Sequence, residues 1–269
     1  MSPNFPDTVL TPDDGTRAAA SGVVILHQDA HLIVLDKPAN LLAVPGRGEE
    51  NHDSLSVRVQ CLFPDALIVH RLDMGTSGLM VMARTPQAQR RLGDAFARRQ
   101  VHKRYVAIVQ GHLQSVGDAW QTIDAPLCVD WPNRPRSRID REHGKPSITH
   151  WRTVPVPEVF PGLAEEFLRP QGLHSVVDLE PVTGRSHQLR VHLQSLGHPI
   201  AGDLLYGDAA NQAMAPRLLL HAYALSLPHP ETGALMHWHC PARFDLLEGL
   251  PQYRTVQVPP AQRGLNTPP

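Results

Sequence analysis

The chain has 269 residues, a net charge of −1, 42% hydrophobic residues and 19% charged residues. That is enough length for a substantial core and the composition of a soluble globular protein. No run of 18 apolar residues is present, so no membrane-spanning helix is expected, and the total charge gives no general affinity for polyanions. The N-terminus lacks the basic start and apolar stretch of a signal peptide. Cys61, Cys128 and Cys240 lie far apart, which argues against a disulfide framework and a cysteine zinc site and for reduced thiols in the cytoplasm.

Residues 1–21 read as a flexible leader. VVILHQ and LIVLDKP then predict two strands joined by a polar turn, and Pro38 ends the second. Asn40 stands where the next loop needs a left-handed residue. Asp53 or Ser54 caps a short helix over SLSVRVQCLF. ALIVH reads as a strand, RLDMGTSG as a turn and LMVMA as a second strand. A helix follows from Pro86, with Ala88, Leu92, Ala95 and Phe96 on one face and arginines opposite. KRYVAIVQG is a strand stopped by Gly111. PLCVDWPNRPRSRIDREHGKPS reads as a long loop rich in Pro and Arg, of the kind that is functional or disordered.

ITHWRTV and SVVDLEPV are strands separated by a surface insertion from about Pro155 to His174. In TGRSHQLRVHLQSLG, Leu189, Leu193 and Leu196 mark the buried face of a helix that Gly197 stops. His187, Arg190 and Gln194 fall on its polar face. Strands around RLLLHAYALSLPH and ALMHWHCP close the chain before a flexible tail over 251–269. Strands outnumber helices without βαβ alternation. The expected fold is α+β, with a mixed, mostly antiparallel central sheet and flanking helices, in one catalytic domain over 22–250 built around a cleft.

Asp73 is the residue this pattern leaves unexplained. Gly75 and Gly78 let its turn adopt tight conformations and let a ligand approach. A carboxylate kept ionised in a cleft needs a cation beside it. Arg71 shares its face only if the strand persists that far; Arg190 is another candidate, and a purely structural ion pair is the plainer reading. Tyr105 is an ordinary sheet tyrosine or a ring for stacking on a base. His187 and His192 are five apart, unlike the i, i+4 pair of a helical zinc site. Charge is unevenly spread: Arg84 to Arg104 holds seven basic residues against Asp94, and Arg134 to Lys145 holds five against Asp140 and Glu142. Such a flank can bind a polyanion or be a solvated helix face.

HRLDMGTSGLMVMA, VHKRYVAIVQG, PVTGRSHQLRVHLQSLGHPIAGDLLYG and LLLHAYALSLPHP occur together in the order seen in pseudouridine synthases of the RluA type. The resemblance covers roughly residues 23 to 243, with Asp36 and Asn40 where Asn and Gly are more usual. PLCVDWPNRP, GRSHQLRVHL and MAPRLLLHA are similar to a dual-specificity subgroup that acts on 23S rRNA and on a tRNA anticodon-loop uridine. The resemblance implies a pseudouridine synthase fold without an N-terminal S4 domain, no cofactor and no metal. It implies Asp73 as the catalytic aspartate, Arg190 as its ion-pair partner and Tyr105 as the ring against the uracil. Leu189, Val191 and His187 would shape the substrate pocket, and Arg71 would fill the space of a flipped base. Arg90 and Arg98 of the basic helix, with Arg134 and Arg136 of the long loop, become candidate phosphate contacts. The partners expected are a tRNA anticodon stem-loop and 23S rRNA, bound by a monomer, with no membrane. A non-catalytic RNA-binding protein and a two-carboxylate hydrolase using Asp178, Glu180 or Asp203 are the competing readings.

Overall fold

The structure, a computed structural model, describes residues 22–114, 119–156 and 173–244. The expected leader, the tail and most of the insertion lie outside the described residues. Ten strands form one sheet in the order β1 (Val24–Gln28), β2 (Leu32–Lys37), β4 (Ser77–Ala83), β11 (Leu220–Pro228), β5 (His102–Gln110), β10 (Leu173–Pro181), β9 (Ile148–Val154) and β6 (Gln121–Asp124). β3 (Leu67–Ile68) adds to β4, and β12 (Leu235–His239) adds to β11. The pairing is antiparallel except between β4 and β11. The sheet is therefore mixed and mostly antiparallel, as expected.

β4 is buried along its whole length, which explains why its sequence is a continuous apolar run rather than an alternation. Ile33, Leu35, Met80 and Met82 pack on one side with Leu55 and Val59 of α1 (Leu55–Leu62). Leu32, Val34, Leu79 and Val81 pack on the other with Ala88, Leu92 and Ala95 of α2 (Pro86–Ala97). Ser54 caps α1 and Thr85 caps α2, each side chain accepting a backbone N–H of the first turn. Asp53, the other candidate cap, instead pairs with Arg58. Asn40 adopts φ 61°, the left-handed conformation its position required.

Three expectations change. The strand over ALIVH shrinks to Leu67–Ile68. The long Arg-rich loop contains a hairpin of β7 (Leu127–Val129) and β8 (Ser137–Ile139); short strands among prolines and arginines carry too little alternation to read. The helix over TGRSHQLRVHLQSLG, α3 (Gln188–Ser195), begins after His187, which sits at φ 58°, and Leu196 beyond its end is exposed. A further short helix, α4 (Ala209–Ala213), had no apolar period to announce it.

β4 and β11 run side by side for only two residue pairs, Ser77 with His221 and Ala222 with Gly78. Gly78 has φ 107°, and a Cβ there would lie 2.3 Å from the carbonyl oxygen of Ala222. This crossing needs glycine for both its conformation and its space. Gly93, in mid-helix, has open space around its missing Cβ. Gly78→Ala should lower the unfolding free energy by about 3 kcal/mol or more, and Gly93→Ala should raise it by about 0.5–1 kcal/mol. Chemical denaturation of the two variants checks both signs.

Candidate active site

The starts of β4 and β11, the end of β10, one face of β5 and the first turn of α3 surround an open cleft of about 290 Å³. Asp73, Tyr105 and Arg190 all line it, as do Arg71, His187 and Leu189. Asp73 is its one acidic lining residue among the described residues.

The turn bearing Asp73 is fixed from two sides. The Thr76 N–H donates to the Asp73 carbonyl at 3.1 Å. From below, Lys37 is wholly buried and donates its three N–H bonds to the carbonyls of Pro38 (2.8 Å), Leu41 (2.7 Å) and Met74 (3.1 Å). One ammonium thus ties the end of β2, the following loop and the Asp73 turn together. Burial pulls the Lys37 pKa down to about 8, against the favourable charge of Asp73. Sequence reading missed this residue, because a lysine at a strand end looks exposed.

Arg190 reaches Asp73 differently from the expectation. Its Nη1 lies 3.6 Å from Asp73 Oδ2, an ion pair longer than a hydrogen bond. Its Nε and Nη2 form a bidentate pair with Asp203 at 2.8 and 2.6 Å. Asp203 is fully buried and also accepts the N–H groups of Leu205 and Tyr206. Burial is the largest single influence and opposes the Arg190 charge, but the bonds and charge of Asp203, with the Asp73 charge behind them, together outweigh it and raise the pKa. Asp203 therefore aims the guanidinium, leaving one edge free for Asp73. Arg190 is also buried rather than on a solvated polar face.

The helix itself is bolted in place. Gln188 Oε1 accepts from Thr183 Oγ1 and the Arg185 N–H, while its Nε2 donates to Ile148 O and Thr149 Oγ1. That satisfies the whole amide. His192 Nε2 donates to the Ala125 carbonyl, so Nδ1 accepts from Thr149 Oγ1. His187 Nδ1 lies 2.8 Å from the Tyr206 hydroxyl, and its Nε2 lies 3.9 Å from Asp73. Burial lowers the His187 pKa, with Asp73 opposing and Arg190 adding to the shift.

Across the cleft, burial first and the Asp73 charge second raise the Tyr105 pKa, so the phenol is protonated at neutral pH. His70 stacks on Phe96, with ring centroids 4.7 Å apart. Its Nε2 accepts the Val81 N–H at 3.0 Å, so no proton can reside there. Burial and Lys103 push its pKa down to about 3. Lys103 and Arg185 complete the basic lining.

The other expected residues fall elsewhere. Val191 faces away from the cleft and packs on Leu127 and Tyr206, so it is no pocket wall. Arg90, Arg98, Arg134 and Arg136 are exposed outside the cleft. Asp178 is occupied by Arg104, Arg152 and Tyr223, and neither it, Glu180 nor Asp203 lines the cleft. Among the described residues, a two-carboxylate hydrolase has no second acid in position.

Residues 31–195 match the family of RNA pseudouridylate synthases, and the chain belongs to that family. It is 46% identical over 223 residues to the dual-specificity RNA pseudouridine synthase RluA of Yersinia pestis, covering 82% of this chain and 100% of that protein. It is 47% identical over 222 residues to the protein of the same name from Escherichia coli K12, covering 82% and 94%. Among solved structures, human RNA pseudouridylate synthase domain containing 1 shares the fold with a TM-score of 0.65 and 27% identity, over 82% of this chain and 83% of that one.

Two predictions follow from the geometry. Asp203→Asn leaves the buried Arg190 without its bidentate anion and should cost about 3 kcal/mol or more of stability, read by denaturant unfolding. The His70 pKa is about 3 in the folded chain, well below the ordinary histidine value of 6.5, so the unfolded chain takes up the proton first. Its contribution is complete above the higher value and fades as pH falls toward the lower. His70→Gln keeps an acceptor for Val81 but cannot titrate. Its unfolding free energy should therefore fall less steeply through this window, by up to about 1.4 kcal/mol per pH unit.

Proposed function

We propose that this chain converts uridine in RNA to pseudouridine with Asp73 as the catalytic residue. The observation that carries the reading is a carboxylate, the one acidic lining residue of the cleft among the described residues, facing a guanidinium and a tyrosine ring. The reaction breaks the N1–C1′ bond, turns the uracil and joins C5 to C1′; C5 loses a proton and N1 gains one. No net redox change or group transfer occurs, so no cofactor is required. Asp73 begins it either by attack at C1′ or by taking the 2′ proton, and both need the oxygen charged and aimed. Arg190 supplies that counter-ion without consuming the carboxylate's lone pairs in short bonds.

Tyr105 stacks against the uracil in this reading. Because its hydroxyl stays protonated, it passes the C5 proton on only by giving up its own, and we assign Asp73, which lines the same cleft, to receive it. The target must leave its stack, at a cost of a few kcal/mol that is smallest in a loop. Arg71 takes the vacated place, while exposed Arg185 meets a phosphate and Lys103 adds positive charge deeper in the cleft. Arg90, Arg98, Arg134 and Arg136 extend that contact outside the cleft. A tRNA anticodon stem-loop and 23S rRNA are the substrates we assign, on the strength of the dual-specificity relatives. We place the protein in the cytoplasm as a monomer; the three cysteines are free, which suits a reducing compartment.

Asp73→Asn should abolish pseudouridine formation while leaving RNA affinity nearly intact. Normal turnover by this variant, assayed on tRNA and large-subunit rRNA, would show that the assignment is wrong.

A further inference from the structure

The β7–β8 hairpin holds one of the two most exposed large apolar side chains among the described residues: Trp131 is 71% exposed, equalled by Leu204. It sits on a closed turn. Asn133 N–H donates to Asp130 O, Arg136 N–H to Asn133 O and Asp130 N–H to Arg136 O, at 2.9–3.0 Å. Asn133 Nδ2 also donates to Asp130 Oδ2 at 2.9 Å. The indole is thus displayed on a fixed frame and does not hang from a loose loop. The guanidinium carbon of Arg134 lies 3.1 Å from the ring centroid, which gives one face of the indole a cationic partner. Residues 131–136 are all exposed.

The root of the hairpin is built into the active site. Leu127 and Ile139 pack with Val191 and Tyr206. The Ser137 N–H donates to the Tyr206 hydroxyl at 2.7 Å, and that hydroxyl meets His187, which faces Asp73. The finger therefore rides on the same helix that carries Arg190.

We infer that Trp131 is a stacking platform for an unpaired RNA base outside the uridine cleft. The inference rests on the reading of this chain as an enzyme acting on RNA, and it adds a contact which that reading does not supply. Charge favours RNA over a protein partner: Trp131 is flanked by Arg134 and Arg136, with Arg141 beyond them, while Arg138 is paired with Asp140, and the turn has no other large apolar side chain between Trp131 and Arg136. A base stacked on the free face with its phosphate on a neighbouring arginine uses every group the turn displays.

The test uses the full chain carrying Asp73→Asn, which cannot turn over, and a tRNA anticodon stem-loop. Adding Trp131→Ala should weaken binding roughly ten-fold, the loss of one base–aromatic stack. Trp131→Phe should restore most of it, and the melting temperature should not move in either. RNA should quench tryptophan emission in the parent, and Trp131→Phe should remove that quenching although Trp120, Trp151 and Trp238 remain. Unchanged affinity in Trp131→Ala, with RNA still bound and the wild-type chain still making pseudouridine, overturns this inference alone. A wild-type chain that neither binds nor modifies RNA overturns the functional reading and this inference together.

Discussion

A guanidinium shared unequally between two carboxylates organises the working end of this protein. Asp203 holds Arg190 with two short bonds in full burial. Asp73 receives only the remaining edge, at 3.6 Å. A single short pair between Arg190 and Asp73 would lock the carboxylate as a structural ion. The observed division gives Asp73 the field of a cation and leaves its oxygens available. Lys37 adds a second positive charge behind the same turn, and it too spends its hydrogen bonds elsewhere, on three carbonyls. Two cations from distant parts of the chain, Lys37 and Arg190, flank one carboxylate, and neither makes a short bond to it.

The rest of the fold supplies the rigidity this arrangement demands. Gln188 and His192 pin α3 to β9 and to the segment before β7. Gly78 allows β4 and β11 to meet beside the Asp73 turn. Where those strands part, His70 accepts the N–H of Val81 and stacks on Phe96 at the cleft wall. The groups that stabilise the sheet are thus the groups that shape the cleft, and a mutation in one is felt in the other.

Much of this was legible in the residues. The paired strands, the cap at Ser54, the helix start at Pro86, the left-handed Asn40 and the helix stop at Gly197 follow from local chemistry, and local chemistry is what a linear pattern records. Asp73 stood out as a Gly-framed acid between apolar strands, and only the surrounding motifs tipped it from a structural ion pair to a site residue. What stayed hidden was long-range. Nothing in GDLLYG says that its aspartate clamps an arginine thirteen positions earlier. A fully buried lysine breaks the expectation that lysines are solvated, and only its three carbonyl partners explain it. Val191 was assigned to the pocket because it neighbours Arg190, but adjacent helical positions point about 100° apart. The hairpin after Pro126 was missed because turn residues and arginines mask strands of three.

The Nε–H of Arg190 reports most directly on this central division of hydrogen bonds. In nitrogen-15 NMR spectra of the Asp73→Asn variant, it should keep a distinct, slowly exchanging, hydrogen-bonded resonance, because Asp203 is its partner. Collapse of that signal into those of solvent-exposed arginines on loss of the Asp73 charge would contradict the account.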